Sequence, residues 1–434
     1  MKPLLSKPKP QPPRAPGAGA TLDQWLSWLE SIHPTEIDLG LDRVLVVLRR
    51  LFRKKPAARV ITVAGTNGKG STVATLETLL QAAGRRTGAY TSPHLQQYNE
   101  RIRINGQDID DATLISAFEK VEAARGSVTL TYFEFGTLAA FVALAESGVQ
   151  DWILEVGLGG RLDAVNVMDA DFAIITSIDI DHVAFLGDNR EVIGFEKAGI
   201  LRLGIPAVIA DMDPPRSVLQ QAVAQKVELI RAGQDYTIGE VIADSGEITA
   251  TLHVQENALS LPSGPLPVQS VAAAVMALRA LEPHMEQAAI EAALVRVKAP
   301  GRFERLESKP DLYVDVGHNP HAASWLSARL QALKGAGRKV YAVYAALGDK
   351  DVEGVAHAMA PVVDGWYLAG LGMPRGLCSD ALRARLESSA LPQVSSHDTV
   401  PAAIAAAKAG SAANDIIIVF GSFFTVAEAR MLLL

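Results

Sequence analysis

The sequence contains almost no cysteine. Among 434 residues only Cys378 is one, so no disulfide can form within the chain, and a reducing compartment such as the cytoplasm fits. No apolar run approaches the length needed to cross a bilayer. Residues 1–20 are rich in proline and basic residues but lack the apolar core of a secretory signal, which predicts a disordered tail.

An excess of positive charge is also missing. The formal net charge is −7, whereas nucleic-acid-binding proteins usually show a basic balance, so the sequence predicts no nucleic-acid partner. Hydrophobic residues make up 49% of the chain and charged residues 21%, which is typical of a globular protein. The length predicts two domains, and a change of pattern near residue 298 places them at 21–298 and 299–434.

The first predicted domain alternates short apolar runs with helical stretches. Strands are predicted at 58–65, 151–157, 171–178 and 205–211, and helices at 71–84, 111–125, 134–147, 189–202, 268–281 and 287–297. Such alternation predicts an α/β fold with a mostly parallel sheet covered by helices on both faces. Residues 227–265 have short runs separated by turn residues, which predict a small antiparallel patch.

The α/β pattern resumes after a predicted linker at 298–304. Further strands are predicted at 311–317, 339–347, 365–371 and 415–423, with helical stretches between them. The sequence therefore predicts a second, Rossmann-like α/β domain at the C-terminal end.

A glycine-rich loop, "VAGTNGKGST" (63–72), differs from the usual phosphate-binding loop in its spacing. A β-branched strand enters it and an amphipathic helix leaves it, so free N–H groups at the helix N-terminus would face an anion. Lys69 adds a point charge, and Ser71 or Thr72 adds a hydroxyl group for a metal or phosphate. We therefore predict a P-loop ATPase domain, and the alternative is a structural glycine turn. The predicted ATP-binding residues are Gly65, Thr66, Asn67, Gly68, Lys69, Gly70 and Ser71.

Two later residues follow predicted strands of the same sheet. Glu155 ends an apolar strand, and ligands gather at that edge of open α/β sheets. A carboxylate there can hold the magnesium ion that bridges nucleotide phosphates, although position alone also allows a solvated acid. His182 follows the next strand, and by itself such a histidine is more often structural.

Motifs spread over nearly the whole chain carry a family resemblance. Together they resemble the Mur ligase superfamily of amide-bond-forming ATPases, and the glycine after the lysine resembles its branch of folylpolyglutamate and dihydrofolate synthases. The motifs are "AGTNGKGS" (64–71), "EIDLGLDRV" (36–44), "YTSPHL" (90–95), "LTYFEFGTLAAF" (130–141), "LEVGLGGRLDAVN" (154–166), "TSIDIDH" (176–182), "EKAGI" (196–200), "PGRFE" (300–304), "DVGHNPHA" (315–322) and "FGSFFTVAEA" (420–429).

The resemblance implies an activity. A ligase of this branch uses ATP to join L-glutamate to dihydropteroate, which gives dihydrofolate, or to reduced folates, which gives polyglutamates, through an acyl phosphate. It implies ATP and magnesium as cofactors, with two ions, and it leaves a monovalent cation open. It also implies a cytoplasmic monomer whose partners are small molecules, with no membrane partner.

The resemblance further implies roles for individual residues. Catalytic roles fall on Lys69, Lys197 and His318, of which His318 is a candidate base by position only. Nucleotide contacts extend to Arg302 and Asp315. Metal ligands are Ser92, Glu155, His182 and Lys197, the last as a carbamate. The pterin substrate is assigned to Asp38, Leu39, Gly40, Thr131, Tyr132, Phe133, Glu134, Leu162, Asp163 and Ala164, although by pattern alone Tyr132 and Phe133 are more typical of a core.

Ser270 departs from the family pattern. It stands where the family usually has an asparagine that contacts ATP, so this contact would be weaker or would move to Gln269. Three alternatives remain at this point: a polyglutamate synthase alone, a cell-wall precursor ligase with the same ATPase core, and a binding protein that uses ATP only to change shape. The segments "TYFEFGTL" and "SPHL" argue against the cell-wall ligase, and "DVGHNPHA" argues against the binding protein.

Overall fold

The computed structural model describes residues 14–33, 35, 37–242, 248–262, 264–335 and 337–434. Most of the predicted tail, residues 1–13, lies outside the described residues, while Ala15 and Ala20 pack against a hydrophobic cluster. Within the described part of the chain, no helix has both the length and the apolar character that a membrane span requires.

The largest sheet has eight strands. In space their order is β4-β3-β2-β5-β1-β6-β7-β8, and all pairs from β2 to β8 are parallel, whereas β3 and β4 join antiparallel at one edge. The strands are β1 Arg59–Ala64, β2 Thr87–Tyr90, β3 Ile102–Ile104, β4 Gln107–Asp108, β5 Asp151–Glu155, β6 Phe172–Ile175, β7 Pro206–Ile209 and β8 Glu228–Arg231.

Burial on both faces explains why β1 is almost entirely apolar and β-branched. Val60 faces a cluster that contains the N-terminal helices, whereas Ile61 and Val63 face a second cluster on the opposite side. Alternation along a strand sends neighbouring side chains to opposite faces, so a doubly covered strand reads as a continuous apolar run. The predicted α/β class and its mostly parallel sheet are confirmed.

Ten helices accompany this sheet and the patch beside it in the described residues. They are α1 Leu22–Ser31, α2 Asp42–Leu51, α3 Lys69–Ala82, α4 Asp111–Arg125, α5 Tyr132–Glu146, α6 Val183–Leu186, α7 Arg190–Ala198, α8 Arg216–Ala224, α9 Val268–Leu281 and α10 Gln287–Leu294. Helix α5 begins two residues earlier than predicted, because Thr131 and Glu134 form a capping box at its N-terminus.

The antiparallel patch is smaller than predicted. It consists of β9 Thr237–Ile242, β10 Ile248–Val254 and β11 Asn257–Leu261, in the order β11-β10-β9. The prediction was wrong for the segment at 227–233, because β8 pairs in parallel with β7 and extends the large sheet. Helix α8 connects these two strands, and such a crossover brings the second strand back parallel to the first.

The third sheet lies in the C-terminal part. Its order is β12-β13-β17-β14-β15-β16, and only β12 runs antiparallel to its neighbour. The strands are β12 Glu304–Glu307, β13 Asp311–Asp315, β14 Val340–Tyr344, β15 Gly365–Ala369, β16 Val394–His397 and β17 Ile416–Phe420. The helices are α11 Pro320–Lys334, α12 Val352–Met359, α13 Ser379–Leu386, α14 Val400–Gly410 and α15 Phe423–Leu433.

The predicted domain boundary near residue 298 falls between α10 and β12. No strand is shared between the large sheet and the C-terminal sheet among the described residues. The exact division of the chain stays a prediction. For convenience, the residues up to 298 are called the N-terminal half and the following residues the C-terminal half.

Candidate active site

The glycine-rich loop connects β1 to α3 at the carboxyl edge of the large sheet. Val63 pairs with Glu155 on β5 and Ala64 with Ile175 on β6, so the loops that follow these three strands meet at one place. They surround a cavity of about 530 Å³ that is lined by every residue from Gly65 to Ser71. Gly68 has a φ of 85° where α3 begins, a conformation that suits glycine.

Lys69 lies inside this loop. Its Nζ donates to the carbonyl oxygens of Gly65, at 2.9 Å, and Thr66, at 3.1 Å. Burial lowers the pKa of Lys69, and the negative charge of Glu155 opposes this shift. No carboxylate of the described residues forms an ion pair with it, so the ammonium group is positioned for an anionic ligand at the N-terminus of α3.

The additional glycine of the loop has a specific neighbour. A Cβ atom at Gly70 would overlap the guanidinium group of Arg302, which comes from the start of the C-terminal half. Both residues line the cavity, so the arginine reaches the nucleotide loop across the junction. The absent side chain of Gly70 therefore makes room for a second cation.

Asp315 holds the segment that carries Arg302. Its buried carboxylate accepts hydrogen bonds from the backbone N–H groups of Phe303, at 2.8 Å, and Gly317, at 2.7 Å. Burial raises the pKa of this group. Asp315 lines the cavity as predicted, and the structure shows that it also fixes the backbone next to Arg302.

The four predicted metal ligands all line the same cavity. Glu155 is only 3% exposed, and its Oε2 accepts a long hydrogen bond of 3.4 Å from the backbone of Ser92. Burial raises the pKa of Glu155, although Lys69 and Arg302 oppose the shift. A buried carboxylate with so few partners fits a cation as its ligand.

Burial favours the neutral form of the two nitrogen-bearing residues of this set. Burial lowers the pKa of His182 to about 4 and that of Lys197 to about 7, and the charge of Lys69 adds to the effect at Lys197. A neutral imidazole can bind a metal, and a neutral amine can react with carbon dioxide. Within the described residues no group of three or more His, Cys, Asp or Glu is arranged to hold a metal, so Glu155 and His182 alone do not form a complete coordination shell.

Asp181 was missed by the sequence analysis, although it precedes His182 directly. It contacts three residues of the C-terminal half: Lys350 Nζ at 2.8 Å, Asn319 Nδ2 at 3.3 Å and His318 Nε2 at 3.6 Å. Burial opposes ionisation, but the hydrogen bond with His318 and the charge of Lys350 outweigh it and hold the pKa of Asp181 far below its usual range. Asp181 therefore joins the two halves at the cavity.

A second bridge starts from the nucleotide loop itself. The side-chain amides of Asn67 and Asn319 donate to each other at 3.2 and 3.0 Å, and Asn319 also caps the N-terminus of α11. His318 lies beside this bridge, and its Nδ1 donates to the carbonyl of Val316 at 2.9 Å, which leaves Nε2 toward Asp181. Asn319 lay within a quoted motif, but nothing in the sequence indicated its partner.

The residues predicted for the pterin lie in a separate group that does not line the nucleotide cavity. Arg43 connects two of their segments, because it donates to Asp38 at 2.6 Å and to Glu134 at 2.8 Å. Leu39 and Gly40 follow Asp38 directly, before α2, and Thr131 caps α5. Tyr132 packs edge-on against Tyr98.

The third pterin segment lies next to the cavity. Asp163 accepts hydrogen bonds from the backbone N–H groups of Leu158 and Val165, and burial raises its pKa to about 6. Leu162 and Ala164 flank it in the chain. The ring of Phe133 occupies the space that a side chain at Gly157 would need, and Gly157 lines the cavity. The predicted substrate segments and the nucleotide loop are therefore neighbours.

Ser270, the departure from the family pattern, is buried against the loop. A side chain at Gly68 would overlap its hydroxyl oxygen, and its carbonyl lies 3.4 Å from the hydroxyl of Thr72. Gln269 also lines the cavity. Both residues therefore lie beside the glycine-rich loop.

Comparisons with known proteins show which family the chain belongs to. The Mur ligase middle domain matches residues 63–280, and the Mur ligase glutamate ligase domain matches residues 301–423. The chain is 43% identical to the dihydrofolate synthase/folylpolyglutamate synthase of Escherichia coli, over 96% of both chains. It is 40% identical to the Haemophilus influenzae protein of the same name, over 95% of this chain and 97% of that protein.

Solved structures are similar over the same length. The structure of E. coli FolC with DHPP and ADP gives a TM-score of 0.90 at 42% identity and covers 96% of this chain and 99% of that chain. A Yersinia pestis enzyme with AMPPNP and a manganese ion gives 0.90 at 41% identity, over 97% and 100%. The chain therefore belongs to the bifunctional dihydrofolate synthase/folylpolyglutamate synthases of the Mur ligase family.

Proposed function

We propose that this chain is an ATP-dependent ligase that adds L-glutamate to dihydropteroate and to reduced folates. The observation that carries the proposal is the cavity at the junction of the two halves, where the nucleotide loop, Glu155, Lys197 and Arg302 meet. Relatives with both activities in their names match nearly the full length of the chain.

The proposed reaction has two steps. The substrate carboxylate attacks the γ-phosphorus of ATP, and ADP leaves, which gives an acyl phosphate. The amine of L-glutamate then loses a proton and attacks the acyl carbon, and inorganic phosphate leaves as the amide forms. Lys69, Arg302 and the N-terminus of α3 would stabilise the negative charge that builds up on the transferred phosphoryl group.

The metal in this proposal is magnesium, with two ions, and a monovalent cation is left open. Ser92, Glu155 and His182 would hold one ion, and a carbamate on Lys197 would supply two oxygens to the second. When bound, magnesium would neutralise charge on the phosphates and favour attack by a carboxylate. The low pKa of Lys197, about 7, supports the carbamate because only the neutral amine reacts with carbon dioxide.

The C-terminal half would complete the site. Asp181 and Asn67 bind its residues Lys350 and Asn319, so the closed arrangement aligns the reacting groups and excludes water that would hydrolyse the acyl phosphate. His318 lies 3.6 Å from Asp181 and is the proposed base for the glutamate amine. We place the reaction in the cytoplasm, where ATP is available, and we expect a monomer.

The experiment uses the purified full chain with ATP, magnesium and L-glutamate. Dihydropteroate or a reduced folate monoglutamate is added, and the product is identified by mass while phosphate release is followed. Addition of one glutamate to each acid, with one phosphate per amide, is the expected result. Extension of the folate alone would leave a polyglutamate synthase, and phosphate release that does not depend on glutamate would contradict ligation.

A further inference from the structure

Arg101 is a buried cation outside the nucleotide cavity. It ends a 3₁₀ turn, Tyr98–Arg101, just before β3, and it is 8% exposed. Its guanidinium carbon lies 4.9 Å from the ring centre of Tyr98 and 5.7 Å from that of Tyr132, with cation–π geometry at both rings. Its Nε donates to Nδ1 of His94 at 2.9 Å.

No carboxylate of the described residues neutralises this guanidinium. Its two terminal nitrogens donate to no described protein atom. Neither nitrogen is fully enclosed by the protein, so both keep some exposure to the outside. By contrast, Arg103, two residues later, forms an ion pair with Glu77 at 2.8 Å. A buried charge without a counter-charge is costly, so Arg101 is prepared for an anion from outside the protein.

The position of Arg101 limits which anion this can be. Tyr132, which flanks it, belongs to the segment assigned to the substrate, and the next residue, Phe133, packs at the edge of the nucleotide cavity. Arg101, His94 and Tyr132 do not line that cavity, whereas Ser92 does. The anion at Arg101 is therefore neither a nucleotide phosphate nor the carboxylate that is activated beside Glu155.

We propose that Arg101 binds the α-carboxylate of a glutamyl group already attached to the folate substrate. This inference rests on the proposed function. Dihydropteroate has one carboxylate, which is the one to be activated. A folate monoglutamate has two, and after the γ-carboxylate is placed at the γ-phosphate, the α-carboxylate remains. A guanidinium with two free terminal nitrogens suits bidentate binding of a carboxylate, and Arg101 thereby distinguishes the two acid substrates.

The test compares Arg101→Gln with the unmodified full chain. The value of kcat/KM is measured for a reduced folate monoglutamate and for dihydropteroate, at saturating ATP and L-glutamate. We expect the ratio of folate to dihydropteroate to fall at least about tenfold, mainly through the KM of the folate, because a charged hydrogen-bonded pair is lost. Arg101→Lys should lie between the two, since a lysine keeps the charge without the fork.

Arg103→Gln is the matched control. It removes the same charge two residues away, from an arginine that Glu77 already neutralises, so the ratio should stay unchanged even where the thermal midpoint falls. Equal losses for both acids in Arg101→Gln would overturn the proposal in favour of a structural role. A raised KM for L-glutamate in both reactions would also overturn it, because the arginine would then hold the incoming amino acid.

Calorimetric binding separates this inference from the proposed function. If a reduced folate binds the unmodified chain at least about tenfold more tightly than Arg101→Gln but forms no product, the carboxylate subsite stands and the proposed reaction fails. If both products form and neither the ratio nor the folate affinity changes in Arg101→Gln, the reaction stands and the subsite is refuted.

Discussion

The two ends of the candidate site differ in whether their charged side chains form ion pairs within the protein. At the nucleotide end, Lys69, Glu155, Lys197 and Arg302 form no ion pair with any described residue. At the end assigned to the pterin, Arg43 binds both Asp38 and Glu134 and so neutralises them within the protein, and Arg101 beside Tyr132 is the exception. Charges that the protein leaves without partners are available to ligands and to chemistry, whereas paired charges hold segments of the chain in position.

Replacing Lys69 tests the unpaired end most severely. We expect Lys69→Ala to lower ligase turnover by about 10²–10³-fold or more, because one cation of the phosphoryl-transfer site is lost. Its thermal midpoint should stay close to that of the unmodified protein, since no ion pair of the described residues is broken. Near-normal turnover in a folded variant would refute the assignment of the nucleotide loop.

Lys197 is the next largest test of the same end. Lys197→Ala should lose most of its activity, by about 10²-fold, since a ligand of a catalytic metal is removed. Added acetate should restore part of this activity by supplying carboxylate oxygens. Carbon-13 NMR of the unmodified protein in labelled bicarbonate should show a carbamate signal that is missing from Lys197→Ala. An active enzyme without such a signal would contradict the carbamate.

Asp181 and Lys350 are an exception to this comparison, because they form an ion pair although Asp181 lines the cavity. Lys350 is 8% exposed, so Lys350→Met should lower the free energy of unfolding by about 3–5 kcal/mol at most, because the largely buried carboxylate of Asp181 loses its lysine partner. Turnover should also fall, because the halves would no longer close correctly. Denaturant titration measures the first effect.

The double variant Asp181→Asn/Lys350→Met is the control for that prediction. It should recover part of the lost stability, because no uncompensated charge remains. Activity that recovers fully in the double variant would show that Asp181 does not align the site.

Replacing Arg43 should have the smallest effect on turnover, because this arginine forms ion pairs and lies at the end assigned to the pterin. Arg43→Met leaves the buried Glu134 without its cation, so we expect about 1–3 kcal/mol less stability. The KM of dihydropteroate should rise more than that of ATP, because the affected segments are those assigned to the pterin. An increase in the KM of ATP alone would contradict the division of the site into two ends.

Local signals in the sequence were sufficient for much of this architecture. The apolar run of β1, the glycine-rich loop and the helix after it were predicted from adjacent residues, and α9 lies where its pattern placed it. The placement of β8 was not predictable in the same way. Its short run looks like those of the antiparallel patch, and only its pairing with β7 reveals where it belongs.

Long-range pairs account for most of what the sequence could not show. Asp181 and Lys350 are 169 residues apart, and Asn67 and Asn319 are 252 apart, so no local pattern connects them. The close approach of Arg302 to Gly70 is of the same kind: both were assigned to the nucleotide, but the reason for the glycine became visible only in three dimensions. The lack of an ion pair at Arg101 within the described part of the chain likewise depends on what the fold places nearby.

The space that Gly70 leaves for Arg302 also bears on how much ATP would be hydrolysed without forming an amide. The guanidinium comes from the start of the C-terminal half, so under the proposed function a nucleotide held by the N-terminal half alone would meet an incomplete set of cations. Its γ-phosphate would then be poorly activated toward water as well as toward a carboxylate. Hydrolysis without amide formation would be low until the halves meet, and ATP breakdown would depend on the assembled site.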